Sequence, residues 1–445
     1  MRQSKLNTIL SVLLFFGAFQ SVMAQTQSLL SCIENGLNNN YNIQIVRNDE
    51  IISANNNSWS NAGGIGSLNL TAGYSGNIYS RDTETRAPNE NITKMRNIVD
   101  NTLNTAIRTE WTVFDGFRIQ ATKERLQELQ NIGHIKTRIT IEDFVAELAS
   151  NYYHWVRQSI RIKNLNYAVS LSQERLRIVQ ERYSIGANSR LDLRQAQVDF
   201  NADSAQSLKQ HELLASAGIT MKRLMSNPDF TNPFIAADSV ISLIRPLNYD
   251  SLLTYMLETN GELLRAKSGT TLAALDIKTA KSREYPYLKL NGSYGYTHNI
   301  YGASTTVRRG DWGPDFGATL GINLIDGKKR SEIVNARIEA ESAKIAVAEL
   351  DLSLRATLAD LWQAYQNNIR LVELEKENLV TAQEHYQIAN ERYLLGELSG
   401  IQIREAQKSL LDAGESLLIA EYNTKICEIS LLQISGSILQ YIEFI

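Results

Sequence analysis

The chain has 445 residues, of which 43% are apolar, 21% are charged and only 6 are proline, which excludes a disordered or collagen-like protein. Its formal net charge of −3 argues against a nucleic-acid-binding protein. The length permits two or three ordinary domains, or one elongated body built on an internal duplication.

Residues 1–24 have the pattern of a secretory signal peptide. Two basic residues precede an apolar run at 9–19, and Val-Met-Ala at 22–24 forms a small-residue cleavage site. We predict cleavage before Gln25, which removes the two basic residues and leaves a mature chain near −5. The alternatives are an uncleaved anchor, for which the run is short, and lipidation at Cys32, which a polar stretch separates from the run.

The rest of the chain is predicted to contain the same series of elements twice. The first repeat, 25–226, contains a helix, a β-hairpin at 67–114, a long helix at 117–184 and a helix at 189–225. A linker at 227–248 follows, in which prolines and Asx residues break helices. The second repeat, 249–445, contains a helix, a β-hairpin at 287–325, a long helix at 328–394 and a helix at 399–440.

Direct similarity between the two halves supports a duplication. Residues 174–197 and 384–407 are displaced by 210 positions, and ten of the 24 aligned residues are identical. The similarity continues with small changes of offset between 113–116 and 324–327, and between 68–74 and 288–294. The mature chain is therefore two copies of one unit.

The hairpin strands alternate apolar and polar residues with a period of two, as in Leu68, Leu70 and Tyr74 with the residues between them. A strand of about 10 residues, tilted by about 45°, covers roughly 23 Å, which matches the apolar band of an outer-membrane barrel. With the export signal, the pattern favours membrane strands, and the polar connection at 79–104 is predicted to be an extracellular loop. A soluble sheet packed on a core would show the same alternation.

Four strands per chain are too few to close a barrel. No later segment approaches 18 consecutive apolar residues, so we expect any membrane span to be β. An open sheet edge in lipid would leave backbone groups unsatisfied, which predicts that several chains share one barrel. A trimer would supply twelve strands and a dimer eight, and the strand pattern permits both.

Each long helix contains more than 60 residues without proline and would extend about 100 Å at 1.5 Å per residue. Apolar residues, with one serine among them, recur along both helices at alternating spacings of 3 and 4, which predicts lengthwise helix packing. These residues are Ile162, Leu165, Val169, Ser172, Leu176, Val179 and Tyr183, and then Leu379, Ala382, Tyr386, Ala389 and Tyr393. Asp-Gly pairs at 115–116 and 326–327 are predicted to form tight strand-to-helix junctions, with a calcium site as the weaker alternative.

The sequence gives no support for a cofactor, a metal or an enzyme. The five histidines are scattered without ligand spacing, and no catalytic nucleophile or phosphate loop is apparent. Cys32 and Cys427 could form at most a single bridge, and the sequence leaves their pairing open.

Taken together, these features resemble the outer membrane efflux protein (TolC) family. The resemblance covers essentially all of the mature chain. It rests on the order of the motifs, which is the same in both repeats. The motifs are the signal peptide, the opening at 29–41, the junction at 111–118, the segment 285–288 and both Arg-Tyr-x-x-Gly-x-x-Ser hairpins. It implies a TolC-like fold, mainly α with membrane β, in which a homotrimer forms a 12-stranded β-barrel continued into a 12-helix α-barrel.

The resemblance also implies where partners bind. A periplasmic membrane-fusion adaptor protein is expected to contact the two hairpin tips through Arg182, Tyr183, Ile185, Gly186, Ser189, Arg392, Tyr393, Leu395, Gly396 and Ser399. A periplasmic gate is expected at Gln402, Glu405 and Asp192. Our hypothesis is that one Glu405 carboxylate from each of three chains rings the closed end and favours cations.

The implied function is passive transport through the outer membrane, with the helical part in the periplasm. The chain would be the exit duct of a tripartite efflux or type I secretion system, fed by an inner-membrane pump of the RND, ABC or a similar class. The alternative is a periplasmic coiled-coil structural scaffold without channel activity, which would be soluble without detergent.

Overall fold

A computed structural model describes residues 26–84, 92–243 and 247–442. The predicted signal peptide at 1–24 lies outside these residues. The chain divides into two compact units. Unit 1 comprises Met1–Arg47, Lys136–Leu264 and Leu350–Ile445, and unit 2 comprises Asn48–Ile135 and Arg265–Glu349.

The described residues are mainly helical, with four strands. In chain order the elements are α1 (Leu29–Asn39), α2 (Tyr41–Asn56), β1 (Ser67–Glu84), β2 (Ile92–Asp115), α3 (Arg118–Ser184), α4 (Arg190–Leu224), α5 (Tyr249–Thr259), α6 (Gly261–Ser282), β3 (Tyr287–Ile300), β4 (Arg308–Gly321), α7 (Gly327–Leu394), α8 (Gly400–Ile434) and α9 (Ile438–Ile442). None of the helices among these residues is long and apolar enough to cross a membrane.

The corresponding helices of the two copies have nearly equal lengths. The long helices α3 and α7 contain 67 and 68 residues, and α4 and α8 contain 35 residues each. The last helix was expected to run over 399–440, but α8 ends at Ile434 and the short α9 follows. Gly436 adopts a left-handed conformation, with φ of +69°, that interrupts the helix there.

The core of unit 1 surrounds the middle of α3. Tyr152 is fully buried, and its ring packs edge-on against Tyr153 and Phe234 at centroid distances of 5.6 and 6.5 Å. The Tyr152 hydroxyl donates to the carbonyl of Gln27, which also pairs with the linker through a parallel bridge to Ala236. The start of the described chain and the part of the linker around residues 234–236 therefore pack on the same helix.

Both cysteines are free thiols. Cys32 is buried in the core of unit 1, where burial raises the pKa of its thiol to about 12. Cys427 is partly buried, and its pKa is also raised by burial. The pairing that the sequence left open is absent in this structure.

The described strands of unit 2 form one antiparallel sheet in the order β1-β2-β3-β4. The prediction of a long loop at 79–104 was wrong, because β1 continues to Glu84 and β2 begins at Ile92. The first hairpin is therefore longer than the second. The register of β1 and β2 shifts between Tyr79 and Arg81, and Asn97 has a left-handed φ of 57° there, which is typical of a bulge.

The two strand-to-helix junctions of unit 2 differ. Gly116, between β2 and α3, adopts a φ of +70° that a residue with a Cβ rarely adopts, and it packs against the Ser282 carbonyl. Asp115 accepts hydrogen bonds from Arg118 Nε at 2.9 Å and from the Ile119 amide at 3.0 Å, which fixes the start of α3. At the second junction Gly327 is instead the first residue of α7.

Candidate functional site

The candidate site is the pair of hairpin tips at the α3–α4 and α7–α8 turns, both in unit 1. Gly186 and Gly396 have φ values of +78° and +83°, which end α3 and α7 through left-handed caps. The amide of Ala187 donates to the Arg182 carbonyl at 2.8 Å, and the amide of Glu397 donates to the Arg392 carbonyl at 2.9 Å. The repeated glycines thus form the same turn in both copies.

Each tip continues into its second helix through a capping box. Ser189 accepts a hydrogen bond from the Asp192 amide, while the Asp192 carboxylate accepts one from the Ser189 amide at 3.0 Å. Ser399 and Gln402 make the equivalent contacts at the second tip, where the amide bond to Gln402 Oε1 is 2.9 Å. Because such a box satisfies two backbone donors at a helix start, these four side chains have a structural role in the described tips.

Arg182 joins the two tips to each other. Its Nη2 donates to the carbonyls of Tyr393 and Leu394 at 3.1 and 3.0 Å, and its guanidinium lies over the Tyr393 ring at 5.1 Å. Tyr393 is buried among Ala389, Ile403 and Ala406, and this burial raises the pKa of its hydroxyl. Tyr393 is therefore buried inside the tip region and Arg182 is half-buried over it, whereas Tyr183 is exposed at 41%.

The tips nevertheless carry exposed apolar side chains. Ile185 is 79% exposed and Leu395 is 76% exposed, and Leu191 and Ile401 are similarly exposed in the first turns of α4 and α8. Helix capping explains the glycines and the serines, and burial between the helices explains Tyr393. Neither role explains why these four apolar side chains are exposed. Exposed apolar residues clustered at one end of a fold are typical of a protein-binding surface.

The three expected gate residues differ in their surroundings. Asp192 and Gln402 are held in the capping boxes described above. Glu405 is exposed on α8, and its carboxylate forms no ion pair with another described residue. Asp192 is exposed as well, but its carboxylate accepts hydrogen bonds from the Ser189 amide and hydroxyl, whereas no described residue binds the Glu405 carboxylate.

Two ion pairs near the tips were not anticipated from the sequence. Arg404 binds Asp203 through two parallel hydrogen bonds of 2.7 and 2.8 Å, which raise the pKa of Arg404. Arg175 pairs with Asp199 and also donates to the Gly400 carbonyl at 3.3 Å. These contacts fasten α3, α4 and α8 together just behind the tips. Arg404 and Asp203 are 201 positions apart, and Arg175 and Asp199 are 24 positions apart, so neither pair falls within the range of a helical spacing pattern.

Comparison with known proteins gives consistent matches. The family model "Outer membrane efflux protein" matches residues 62–227 and 252–437, which are well over half of the chain. The chain is 21% identical over 379 residues to the outer membrane protein TolC of Vibrio cholerae, covering 83% of this chain and 82% of that protein. It is 20% identical over 341 residues to the outer membrane efflux protein BepC of Brucella suis, covering 74% and 71%. The crystal structure of the CmeC outer membrane channel of Campylobacter jejuni superposes with a TM-score of 0.76 at 15% identity, covering 94% of this chain and 90% of that chain.

Proposed function

The chain belongs to the outer membrane efflux protein family, and we propose that it is the passive exit duct of a tripartite efflux or type I secretion system, built as a homotrimer. The resemblance inferred from the sequence is confirmed. The protein is an outer-membrane protein with its helical part in the periplasm, and members of the family are channels rather than enzymes.

The observation that carries the proposal is the four-stranded sheet with two open edges. β1 and β4 are the outer strands, and no described segment of the chain pairs with either edge. Large apolar side chains such as Leu70, Tyr74 and Phe316 are exposed on its surface, as lipid-facing residues would be. Three chains would give a 12-stranded β-barrel, and the α3–α4 and α7–α8 hairpins of the three chains would give a 12-helix α-barrel.

The mass of the detergent-purified protein tests this assembly. We expect three chains per particle, together with channels in planar bilayers reconstituted from the same preparation. A stable monomer in detergent, or a protein that is soluble without detergent, would refute the shared barrel. The second outcome would favour the structural scaffold instead.

We further propose that the tips bind a periplasmic adaptor, which in turn connects the duct to an inner-membrane pump. The exposure of Ile185 and Leu395 supports this assignment, since neither side chain packs within the chain. A photo-reactive residue at 185 or 395 is expected to cross-link to the adaptor in cells. Leu208, equally apolar and exposed on α4 but away from the tip, is the matched control position and is expected to give no adaptor product.

Glu405 is proposed as the acidic ring of the periplasmic end. Three exposed carboxylates brought together in a trimer would attract cations and repel anions. The Glu405→Gln variant is expected to lower the cation preference, measured as the reversal potential of single channels under a salt gradient. Glu397→Gln is the control, because Glu397 pairs with Arg392 at 3.1 Å. Equal cation preference in Glu405→Gln and wild type would show that this carboxylate is not in the ring.

A further inference from the structure

The two outer strands of the sheet, β1 and β4, each lack a partner strand among the described residues. In a membrane, an unpaired backbone group costs several kcal/mol, so both edges require a neighbouring strand. If the barrel is shared between chains as proposed above, a second copy of this chain supplies that strand. The internal repeat then determines which residues meet.

The repeat relates the strands of the two copies by fixed offsets. β1 corresponds to β3 at an offset of 220 residues, and β2 corresponds to β4 at an offset of 211. The sheet itself tests these offsets. Subtracting 220 from a residue number in β3 and 211 from its partner's number in β4 should give a pair that is observed between β1 and β2. Tyr294↔Pro314 becomes Tyr74↔Leu103, and Tyr287↔Gly321 becomes Ser67↔Glu110, and both resulting pairs are present.

Within one chain, β2 of the first repeat pairs with β3 of the second repeat. In this pairing Arg108 lies opposite Ser293. The same offsets convert this pair into Thr319 of β4 opposite residue 73 of β1. We propose that β4 of one protomer pairs antiparallel with β1 of the next in this register. Thr319 then lies opposite the partner's Gly73, and Leu320 lies opposite the partner's Ala72.

Side-chain sizes along the two edges fit this register. At three successive positions on the apolar face of β4 a large residue meets a small one: Phe316 lies opposite the partner's Gly76, Ala318 opposite the partner's Tyr74, and Leu320 opposite the partner's Ala72. A slip of two residues would place Phe316 opposite the partner's Tyr74 and Leu320 opposite the partner's Leu70. A slip of one would turn apolar residues of one strand toward the polar face of the other.

Burial of equivalent residues also differs as the pairing requires. Leu288 lies opposite Phe114 inside the chain, and both side chains are partly buried. Their equivalents are Leu68 in β1, which is 74% exposed, and Ile325, four residues beyond the end of β4, which is 97% exposed. Leu68 and Ile325 occupy the positions in the repeat that Leu288 and Phe114 occupy. We attribute their greater exposure to the neighbouring chain that is absent here. In the shared barrel Ile325 would contact the partner's Leu68.

Cysteine cross-linking in the full-length protein in the outer membrane tests the register. The double variant Thr319→Cys/Gly73→Cys places both thiols on the polar face, where an oxidant such as copper phenanthroline has access. A Cβ at residue 73 has no neighbour closer than 4.0 Å. We expect covalent multimers on non-reducing gels that disappear on reduction. Asp315→Cys/Asn77→Cys, in the same register, is the second matched pair in case the first folds poorly.

The controls separate register from assembly. Each single variant controls for the native thiols, and Thr319→Cys with Thr71→Cys or Ser75→Cys tests a slip of two, for which the diagonal separation of about 7–8 Å exceeds disulfide reach. More product from a slipped pair than from the matched pairs overturns the register. So does the absence of product from both matched pairs in a protein that is oligomeric by mass. A monomer by mass overturns the shared barrel itself.

Discussion

Replacing Gly116 by alanine is expected to destabilise the protein by two separate effects. Its φ of +70° lies in the left-handed region, which costs a residue with a Cβ about 1–2 kcal/mol. The added Cβ would also lie 2.8 Å from the Tyr285 Cβ and 3.0 Å from the Ser282 carbonyl carbon, closer than real Cβ atoms pack. Overpacking of this kind costs about 1–3 kcal/mol.

The Gly116→Ala variant should therefore lose about 2–5 kcal/mol in free energy of unfolding. Gly186→Ala is the matched control, because Gly186 has a φ of +78° but no atom within 4 Å of its added Cβ. The control should lose only the conformational cost of about 1–2 kcal/mol. Urea unfolding of the detergent-purified proteins, followed by far-ultraviolet circular dichroism, measures both losses.

Equal losses in the two variants would refute the reasoning, because the packing of Gly116 against the segment before β3 would then contribute nothing. A Gly116→Ala protein that fails to accumulate, while Gly186→Ala accumulates normally, would agree with the expected order. The comparison isolates packing because the two glycines share the same backbone conformation.

The other predictions concern two ion pairs, a helix cap and a partly buried histidine. Asp203→Asn breaks the two-bond ion pair with Arg404 and should lower the free energy of unfolding by about 1–3 kcal/mol. The loss is smaller than for a fully buried pair because Arg404 keeps some contact with water. The control Asp82→Asn, in an exposed pair with Arg96, should change the free energy of unfolding in urea by less than about 0.5 kcal/mol. Ser399→Ala removes the cap of α8 and should cost about 1 kcal/mol in the same titration, so an unchanged midpoint would contradict the capping role. Burial and the nearby Arg157 lower the pKa of His154 below its ordinary value of 6.5. As the pH drops below about 6.5, the unfolded chain therefore binds more protons at this residue than the folded chain does, and the free energy of unfolding should fall. His154→Gln should reduce that slope, by at most about 1.4 kcal/mol per pH unit, and an identical pH profile in wild type and variant would exclude the effect.

Local patterns in the sequence were sufficient for most of the secondary structure. A period of two marks β3, and spacings of 3 and 4 mark the buried positions of α3 and α7, such as Val179 and Ala389. Gly186 and Ser189 are a helix stop and a helix start whose chemistry acts within a few residues. The first part of β2 was missed because its residues alternate poorly, and strand pairing with β1 extends it to Ile92.

The sequence by itself determined the duplication, the order of the elements and the turn chemistry of both hairpins, because each depends on residues close together in the chain or on a repeat of known offset. The tertiary structure decided which residues at the tips are buried and which are exposed: Tyr393 lies beneath Arg182 while Leu395 points outward. It also decided that Arg404 meets Asp203. Such contacts join helices that are distant in the chain, and they are set by the rotation of one helix against another, which no local periodicity specifies.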